Sequence, residues 1–311
     1  MSPRVLVAGD ANLDLVLQGD VRPRFGQAEQ YLTGAGLVLG SSAGICAAGL
    51  ARLGVDVGLV ARVGDDFFGA HTRELLTAAG VGVDELRTVA GPTGLSVILS
   101  GADDRSILTL PGAMASLTVT EVRDAVARTG ATHLHVASFF LVPDFADSLP
   151  ALLADVRRDG VTTSLDPNWD PAEGWVGVAA CLPHLDLLLP NAAEVVELAA
   201  VLQGRRAADP VAAARALASA GPAVVVKDGA AGGFAVAGER LERAPGLPVE
   251  VVDTTGAGDS FDAGFLAAWL DGADLAESLD WATVAGSLST TGAGGTGRQA
   301  DRDQLRVARG R

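Results

Sequence analysis

Lysine is nearly missing from this chain: Lys227 is the only one in 311 residues, and the other basic residues are arginines. No Gly-Lys pair exists, which excludes a Walker-type P-loop, whose lysine follows its last glycine. Schiff-base chemistry of the pyridoxal kind would have to rest on Lys227 alone. Cysteine is almost as scarce. Cys46 and Cys181 lie far apart without metal-ligand spacing, which excludes a disulfide scaffold and points to a reducing compartment. No apolar run approaches the ~20 residues of a membrane span. The N-terminus enters an apolar strand directly, without the basic region and long apolar core of a signal peptide. A cytoplasmic protein is expected.

Basic charge is also in short supply. Acidic residues outnumber basic ones by 38 to 23, for a formal charge of −15. Such a field repels phosphate backbones and anionic lipid surfaces, so neither nucleic acid nor a membrane is an expected partner. A 49% hydrophobic composition excludes a disordered chain. A chain of this length builds a core without staples, as about two domains or one large α/β domain with an appendage.

Val5 to Ala8 reads as a buried strand, and the Ala-rich stretch from Ser41 to Leu53 as a helix stopped by Gly54. Val57 to Val60 predicts a strand, Gly64-Asp65-Asp66 a turn, and Gly69 to Ala79 a helix. Leu95 to Leu99 and Ser106 to Leu110 flank the polar turn Gly101 to Arg105, as in a hairpin. Helices are expected over 118–129, 144–158, 191–202, 209–219, 260–270 and 274–290. Strands are expected over 133–137, 161–165, 185–189 and 223–227, with a hairpin over 233–252. This alternation predicts a parallel sheet covered on both faces. Residues 12–38 and 92–113 break the rhythm and read as a small β appendage.

The chemistry concentrates in Asp253-Thr254-Thr255-Gly256-Ala257-Gly258-Asp259-Ser260-Phe261. A strand reaches Val252, a Gly-Ala-Gly turn follows, and an apolar helix opens near Ser260. Glycines before a helix leave backbone N–H groups free to meet an anion. A carboxylate at Asp259, beside such a cradle, suits phosphoryl transfer to a hydroxyl, where amides hold charge and the acid takes the proton. On these residues alone, Asp259 is equally readable as a helix cap.

This stretch resembles the C-terminal signature of the ribokinase-like (PfkB-type) carbohydrate kinases, and similarity runs in order along nearly the whole chain. Gly9 to Asp14, Gly40 to Gly54, Val63 to Gly69, Asp166-Pro167-Asn168, Leu189 to Glu194 and Val226 to Gly229 resemble further family blocks. The resemblance implies a three-layer α/β/α sandwich with a mostly parallel central sheet and a small β lid. The main domain would comprise residues 1–11, 39–91 and 114–311, and the lid residues 12–38 and 92–113.

It also implies an ATP- and Mg²⁺-dependent kinase acting on a hydroxyl of a sugar, sugar acid or nucleoside. Asp259 would be the base, and Gly256, Ala257 and Gly258 the anion hole. Asn191 and Glu194 would order Mg²⁺ through water, and Lys227, Asp228, Gly229 and Gly232 would run beside the nucleotide. Asp253 and Thr255 match positions that hold K⁺ in some members; a plain turn-stabilising role for Asp253 stays open. Asn12, Asp14, Gly40, Ser41 and Ile45 fall on the acceptor site. Two of these depart from the pattern: Ser41 replaces a glycine and Ile45 an asparagine, which removes an amide and makes the pocket greasier. Few basic residues surround the expected pocket, which favours a neutral acceptor over a phosphorylated one. Exposed lid strands would seek pairing, so a homodimer through the lid is expected.

Two other classes are weighed against this reading. Gly34, Gly36 and Gly40 imitate the fingerprint of a dinucleotide-dependent oxidoreductase, but follow a polar stretch and are spaced one residue too long. A non-catalytic sugar sensor of the same fold would have no need of Asp259 in the anion hole. His133 and His135, on one strand face, lack further ligands at metal spacing and read as core residues.

Overall fold

Buried apolar strands set the architecture of the computed structural model, which describes residues 5–101, 105–308 and 310. The chain opens with β1 (Val5–Ala8), β2 (Asn12–Gly19), β3 (Leu32–Leu39) and α1 (Ser42–Arg52). It continues through β4 (Val57–Gly64), α2 (Phe67–Ala78), β5 (Leu86–Val89), β6 (Gly94–Ser100) and β7 (Arg105–Leu110). Then come α3 (Val119–Thr129), β8 (His133–Val136), α4 (Pro143–Arg158), β9 (Thr162–Leu165), α5 (Val178–Cys181) and β10 (Leu187–Leu188). The last part holds α6 (Ala192–Gln203), α7 (Pro210–Ala218), β11 (Ala223–Lys227), β12 (Gly233–Ala237) and β13 (Arg240–Ala244). Helices α8 (Ala257–Leu270), α9 (Leu275–Ser289) and α10 (Arg302–Ala308) close it.

The main sheet has nine strands in the order β13-β12-β11-β10-β9-β8-β1-β4-β5. It is parallel from β11 to β5, with β12 and β13 antiparallel at one edge. Its strands are apolar on both faces because both faces are covered. In β1, Leu6 and Ala8 enter the core formed with α3, α4, α6 and α7. Val5 and Val7 enter the opposite core, formed with α1, α8 and α9. Contact between α8 and its neighbours is close because small residues meet there. A Cβ on Gly49 of α1 would stand 2.7 Å from Ala263 Cβ, and one on Gly264 would stand 2.8 Å from Ala285 Cβ.

A second sheet, in the order β3-β2-β6-β7, is built from the two segments outside the alternating rhythm. Gly34 and Gly36 lie within β3, in the middle of a strand, and form no strand-to-helix phosphate turn. Of the turn joining β6 to β7, residues 102–104 lie outside the described residues.

The sequence reading needs correction at several boundaries. Helix α8 opens at Ala257 rather than near Ser260, because Gly256 alone takes the left-handed turn conformation, with φ of 71°. The expected hairpin ends at Ala244, and 245–252 carry no regular structure. Strand β5 and helices α5 and α10 were not expected. His133 and His135 are fully buried and share one partner: Ser164 Oγ lies 2.8 Å from His133 Nε2 and 2.8 Å from His135 Nδ1. Burial lowers both histidines, to about 3 and about 4, so both are neutral.

Candidate active site

Three parallel strands end at the same edge of the sheet, and the residues at or just beyond their ends are Asp10 after β1, Asp166 after β9 and Lys227 of β11. Open α/β sheets bind ligands at this edge. Above it stands the N-terminus of α8. No side chain caps this helix, and Gly256 is fixed as glycine twice over. Its φ is positive, and a Cβ there would stand 2.7 Å from Gly295 Cα and 3.0 Å from Ile45 Cγ2. The Ala257 N–H points to Thr254 O at 3.3 Å. The positive dipole end of the helix lies at the space in front of this turn.

Two cavities meet at this turn. One, of about 220 Å³, is lined by Asp10, Asn12, Asp14, Ser41, Ser42, Gly256 and Asp259, with Ile45, Ile98, Ile107, Met114 and Leu141 as its apolar wall. The other, of about 510 Å³, is lined by Lys227, Gly229, Gly232, Gly246, Ala257 and Gly258 among others. Gly256 and Asp259 therefore face one cavity, and Ala257 and Gly258 the other.

In the smaller cavity, Asn12 Nδ2 donates to Asp14 Oδ1 at 3.2 Å and to Ser96 Oγ at 3.3 Å, which joins β2 to β6. Asp10 accepts from the Ala43 and Ser42 backbone N–H groups, at 3.0 and 3.3 Å, and so caps α1. Burial pushes the Asp10 carboxyl up. Ser41 holds the left-handed region, with φ of 69°, at the position where the resemblance expects glycine. Its hydroxyl offsets part of that strain by accepting from the Gly44 N–H at 3.2 Å. Ile45 makes no polar contact with the cavity. It is 3% exposed and packs beneath Gly256 and Gly295 as an apolar floor.

Asp259 is buried in the first turn of α8. Burial, reinforced by the Asp166 charge, pushes its carboxyl up to about 8, against a hydrogen bond from Ser42 and the charge of Lys227. Ser42 Oγ accepts from Asn168 Nδ2 at 2.8 Å, and the Asn168 N–H donates to Asp166 Oδ1 at 3.2 Å. Asp259 is thereby linked through Ser42 and Asn168 to the end of β9. Sequence reading missed this chain. An expectation that no Gly-x-Ser-x-Gly elbow occurs is corrected by Gly40-Ser41-Ser42-Ala43-Gly44, which fits that spacing of serine hydrolases. An elbow serine needs a histidine base, whereas Ser42 bonds Asn168 and Asp259.

Asn191 and Glu194 form a capping box at the start of α6. Asn191 Oδ1 accepts from the Ala193 and Glu194 N–H groups at 2.9 Å each, and Glu194 Oε2 accepts from the Asn191 N–H at 2.9 Å. Burial, then the Asp166 charge, pushes Glu194 up to about 7. An exposed capping glutamate would not sit there; this one is 4% exposed. Lys227 donates to Asp166 Oδ2 at 2.8 Å and to Asp262 Oδ2 at 3.0 Å. Asp228 lines a separate cavity with Asp209 and Arg243 instead of the one that holds Gly229 and Gly232.

Asp253 is a clamp. Its Oδ1 accepts from the Thr255 N–H at 2.9 Å and from Thr255 Oγ1 at 2.7 Å, and its Oδ2 accepts from the Gly294 N–H at 2.9 Å. The carboxylate joins the turn before α8 to the glycine loop that packs on Gly256.

A buried carboxylate in a helix's first turn lines one cavity while Ala257 and Gly258 line another, an arrangement that suits a phosphotransferase acting on an alcohol group. Residues 4–301 match the pfkB family carbohydrate kinases, and the chain belongs to that family. An ATP-dependent ribose-1-phosphate kinase of Halopiger xanaduensis is 33% identical over 294 residues, covering 92% of this chain and 91% of its own. The solved ribokinase of Arabidopsis thaliana, complexed with ribose and ATP, is 25% identical with a TM-score of 0.80 over 99% of each chain. An E. coli structure described as ribokinase II, in complex with ATP and Mg²⁺, shares the fold at a TM-score of 0.85 and 22% identity, again over 99% of each chain.

Proposed function

We propose that this kinase transfers the γ-phosphoryl group of ATP to a hydroxyl of a neutral sugar or nucleoside, with Asp259 as the base. The observation that carries this reading is the meeting of two cavities on one helix turn, with Asp259 on the acceptor side and Gly258 on the nucleotide side. ATP occupies the larger cavity, over Gly229 and Gly232. The α8 amides hold charge on the transferred group, and Asp259 orients and deprotonates the acceptor hydroxyl.

The smaller cavity supports a neutral acceptor. Asp10, Asp14 and Asp259 line it, and no arginine, lysine or histidine does so among the described residues. With no cation in its lining among the described residues, this cavity of about 220 Å³ offers nothing to compensate the charge of a sugar phosphate or sugar acid, whereas Asp14 and Asn12 suit the hydroxyls of a polyol.

Asn191 and Glu194 fit the ordering of a Mg²⁺ water shell. Glu194 is buried, holds one backbone N–H through Oε2, and would become fully ionised beside a dication. Bound Mg²⁺ neutralises charge on the phosphates. A monovalent cation beside Asp253 and Thr255 would add to a turn that protein donors already clamp. The four-stranded sheet acts as a lid, excluding water as it closes over the acceptor. Its exposed Leu108 and Leu110 support a homodimer formed through this sheet, which sedimentation velocity tests: a species of only 31 kDa would retire it.

The test of the function is ADP release with Mg-ATP across unphosphorylated sugars, sugar acids, nucleosides and sugar phosphates, with Asp259→Asn in parallel. Turnover on neutral acceptors, reduced about 10²–10⁴-fold in the variant, is expected. Nucleotide binding without turnover on any acceptor would favour the sugar-sensor alternative. Turnover of sugar phosphates alone would overturn the neutral-acceptor reading.

A further inference from the structure

Lys227 is the only lysine of the chain, and neither cavity has an arginine in its lining among the described residues. A phosphate-handling site would be expected to aim this one cation at the nucleotide. Lys227 does line the larger cavity, but its ammonium is engaged by two carboxylates. The side chain runs beneath Gly258, where an added Cβ would stand 3.4 Å from Lys227 Cδ. Its ammonium is held between Asp166 Oδ2 and Asp262 Oδ2, at 2.8 and 3.0 Å, with both carboxylates buried and the lysine side chain 11% exposed. These residues come from the ends of β9 and β11 and from the second turn of α8.

We infer that Lys227 is a positioning residue for the transfer, a clamp that fixes α8 over the sheet edge and supplies the counter-charge to the Asp259 carboxylate, in place of a nucleotide ligand. The inference rests on the reading of Asp259 as the base. Besides Lys227, the ionisable groups that act on Asp259 are Asp166 beyond β9 and Asp10 beyond β1; Asp14 of β2 lines the same cavity, and Cys46 of α1 feels the Asp259 charge. Lys227 is the one cation among the groups that act most strongly on it. Within the clamp, Lys227 holds Asp166 below the usual carboxylate range, although burial opposes it. Burial pushes Asp262 well up, and its Oδ1 is buried with no hydrogen-bond partner, as suits a neutral carboxyl. One positive and one negative charge remain, Lys227 and Asp166, and they act on Asp259 in opposite directions.

The opposition gives the test, read as the acid limb of kcat at saturating Mg-ATP and acceptor. Lys227→Met removes the cation that lowers Asp259, and to the extent that buried Asp166 keeps its charge the limb is expected to move up, by as much as about one pH unit, with kcat at pH 7 falling by up to about tenfold. The KM for ATP should stay within about threefold, since Lys227, although it lines the larger cavity, has its ammonium engaged by Asp166 and Asp262. Asp166→Asn alone should move the limb down, and the double variant should bring it back near the wild-type position. A role confined to folding would move none of these limbs. A KM for ATP raised tenfold in Lys227→Met, with the limb unmoved, would instead make Lys227 a nucleotide ligand. If Lys227→Met fails to fold, an unmoved limb in Asp166→Asn overturns the inference. Asp259→Asn, measured alongside, separates the two readings: full activity there removes the base itself, whereas an inactive Asp259→Asn beside unmoved limbs removes only the role of Lys227.

Discussion

Gly40 and Asp14 compete for one volume. A Cβ on Gly40 would stand 2.9 Å from Asp14 Oδ2 and would overlap Oδ1 outright. The glycine is therefore what lets the Asp14 carboxylate lie against the backbone and face the acceptor cavity. Gly40→Ala should displace Asp14, raising the acceptor KM about tenfold or more while leaving the KM for ATP within about threefold. Steady-state kinetics with each substrate varied in turn checks this. Equal effects on both substrates would contradict it.

The base itself predicts a pH profile. Asp259 must be ionised to take a proton, and its site pushes it up to about 8. In the free enzyme kcat/KM should therefore rise with pH and level off above about 8. A limb near pH 4 would mean that Asp259 is not the titrating group.

The same shift has a cost in stability, and its sign follows from proton linkage. A carboxyl raised above its unfolded value of 3.8 keeps its proton longer in the folded state than in the unfolded one. Its stabilising contribution is complete below pH 3.8 and is lost as pH rises toward about 8. Asp259→Asn removes that loss. The inactive variant should melt higher than the wild type by about 2–4 °C or more at pH 8, with the gap closing toward pH 4. Thermal melts at both pH values decide it.

Ile45 supports the Gly256 turn by packing alone. Ile45→Ala should open a cavity beneath Gly256 and Gly295 and cost about 2–5 kcal/mol of stability. Because the support is also lost from the anion-binding turn, kcat should fall at temperatures where the variant remains folded. Urea denaturation and kinetics on the same preparation test both halves.

Asp253 works on that turn from the other side. Asp253→Ala removes three hydrogen bonds that hold Thr255 and Gly294. A drop in kcat of about tenfold or more is expected, with little change in the acceptor KM.

The alternation of buried strands and helices was legible in the sequence because each central strand is apolar on both faces and each long helix has an apolar face. Strand β5 was not: Leu86-Arg87-Thr88-Val89 is a short edge strand with Arg87 and Thr88 in solvent, so it carries no apolar run. Helix α10 was missed because its only buried residue is Leu305. The start of α8 was misplaced because Gly256 and Gly258 look alike in sequence, while only Gly256 takes a positive φ. In the site, the Asp259 turn and the glycines of the nucleotide loop were legible through their motif. The Ser42–Asn168–Asp166 link was not, because Ser42 lies 126 residues from Asn168 and meets it only once β9 lies near α1.

The histidine pair in the sheet interior has one more consequence. Ser164 has one hydroxyl proton, and its oxygen lies within bonding distance of two imidazole nitrogens. It can donate to only one ring, so the other must donate to it. Both rings are neutral, and each carries a single N–H. If Ser164 donates to His135 Nδ1, the His135 proton sits on Nε2, and His133 must carry its own on Nε2 and accept from Thr162 Oγ1 at Nδ1. If Ser164 donates to His133 instead, both rings switch to the Nδ1–H form. The two tautomers are thus set together by the orientation of one hydroxyl, and nitrogen chemical shifts should report both rings in the same form.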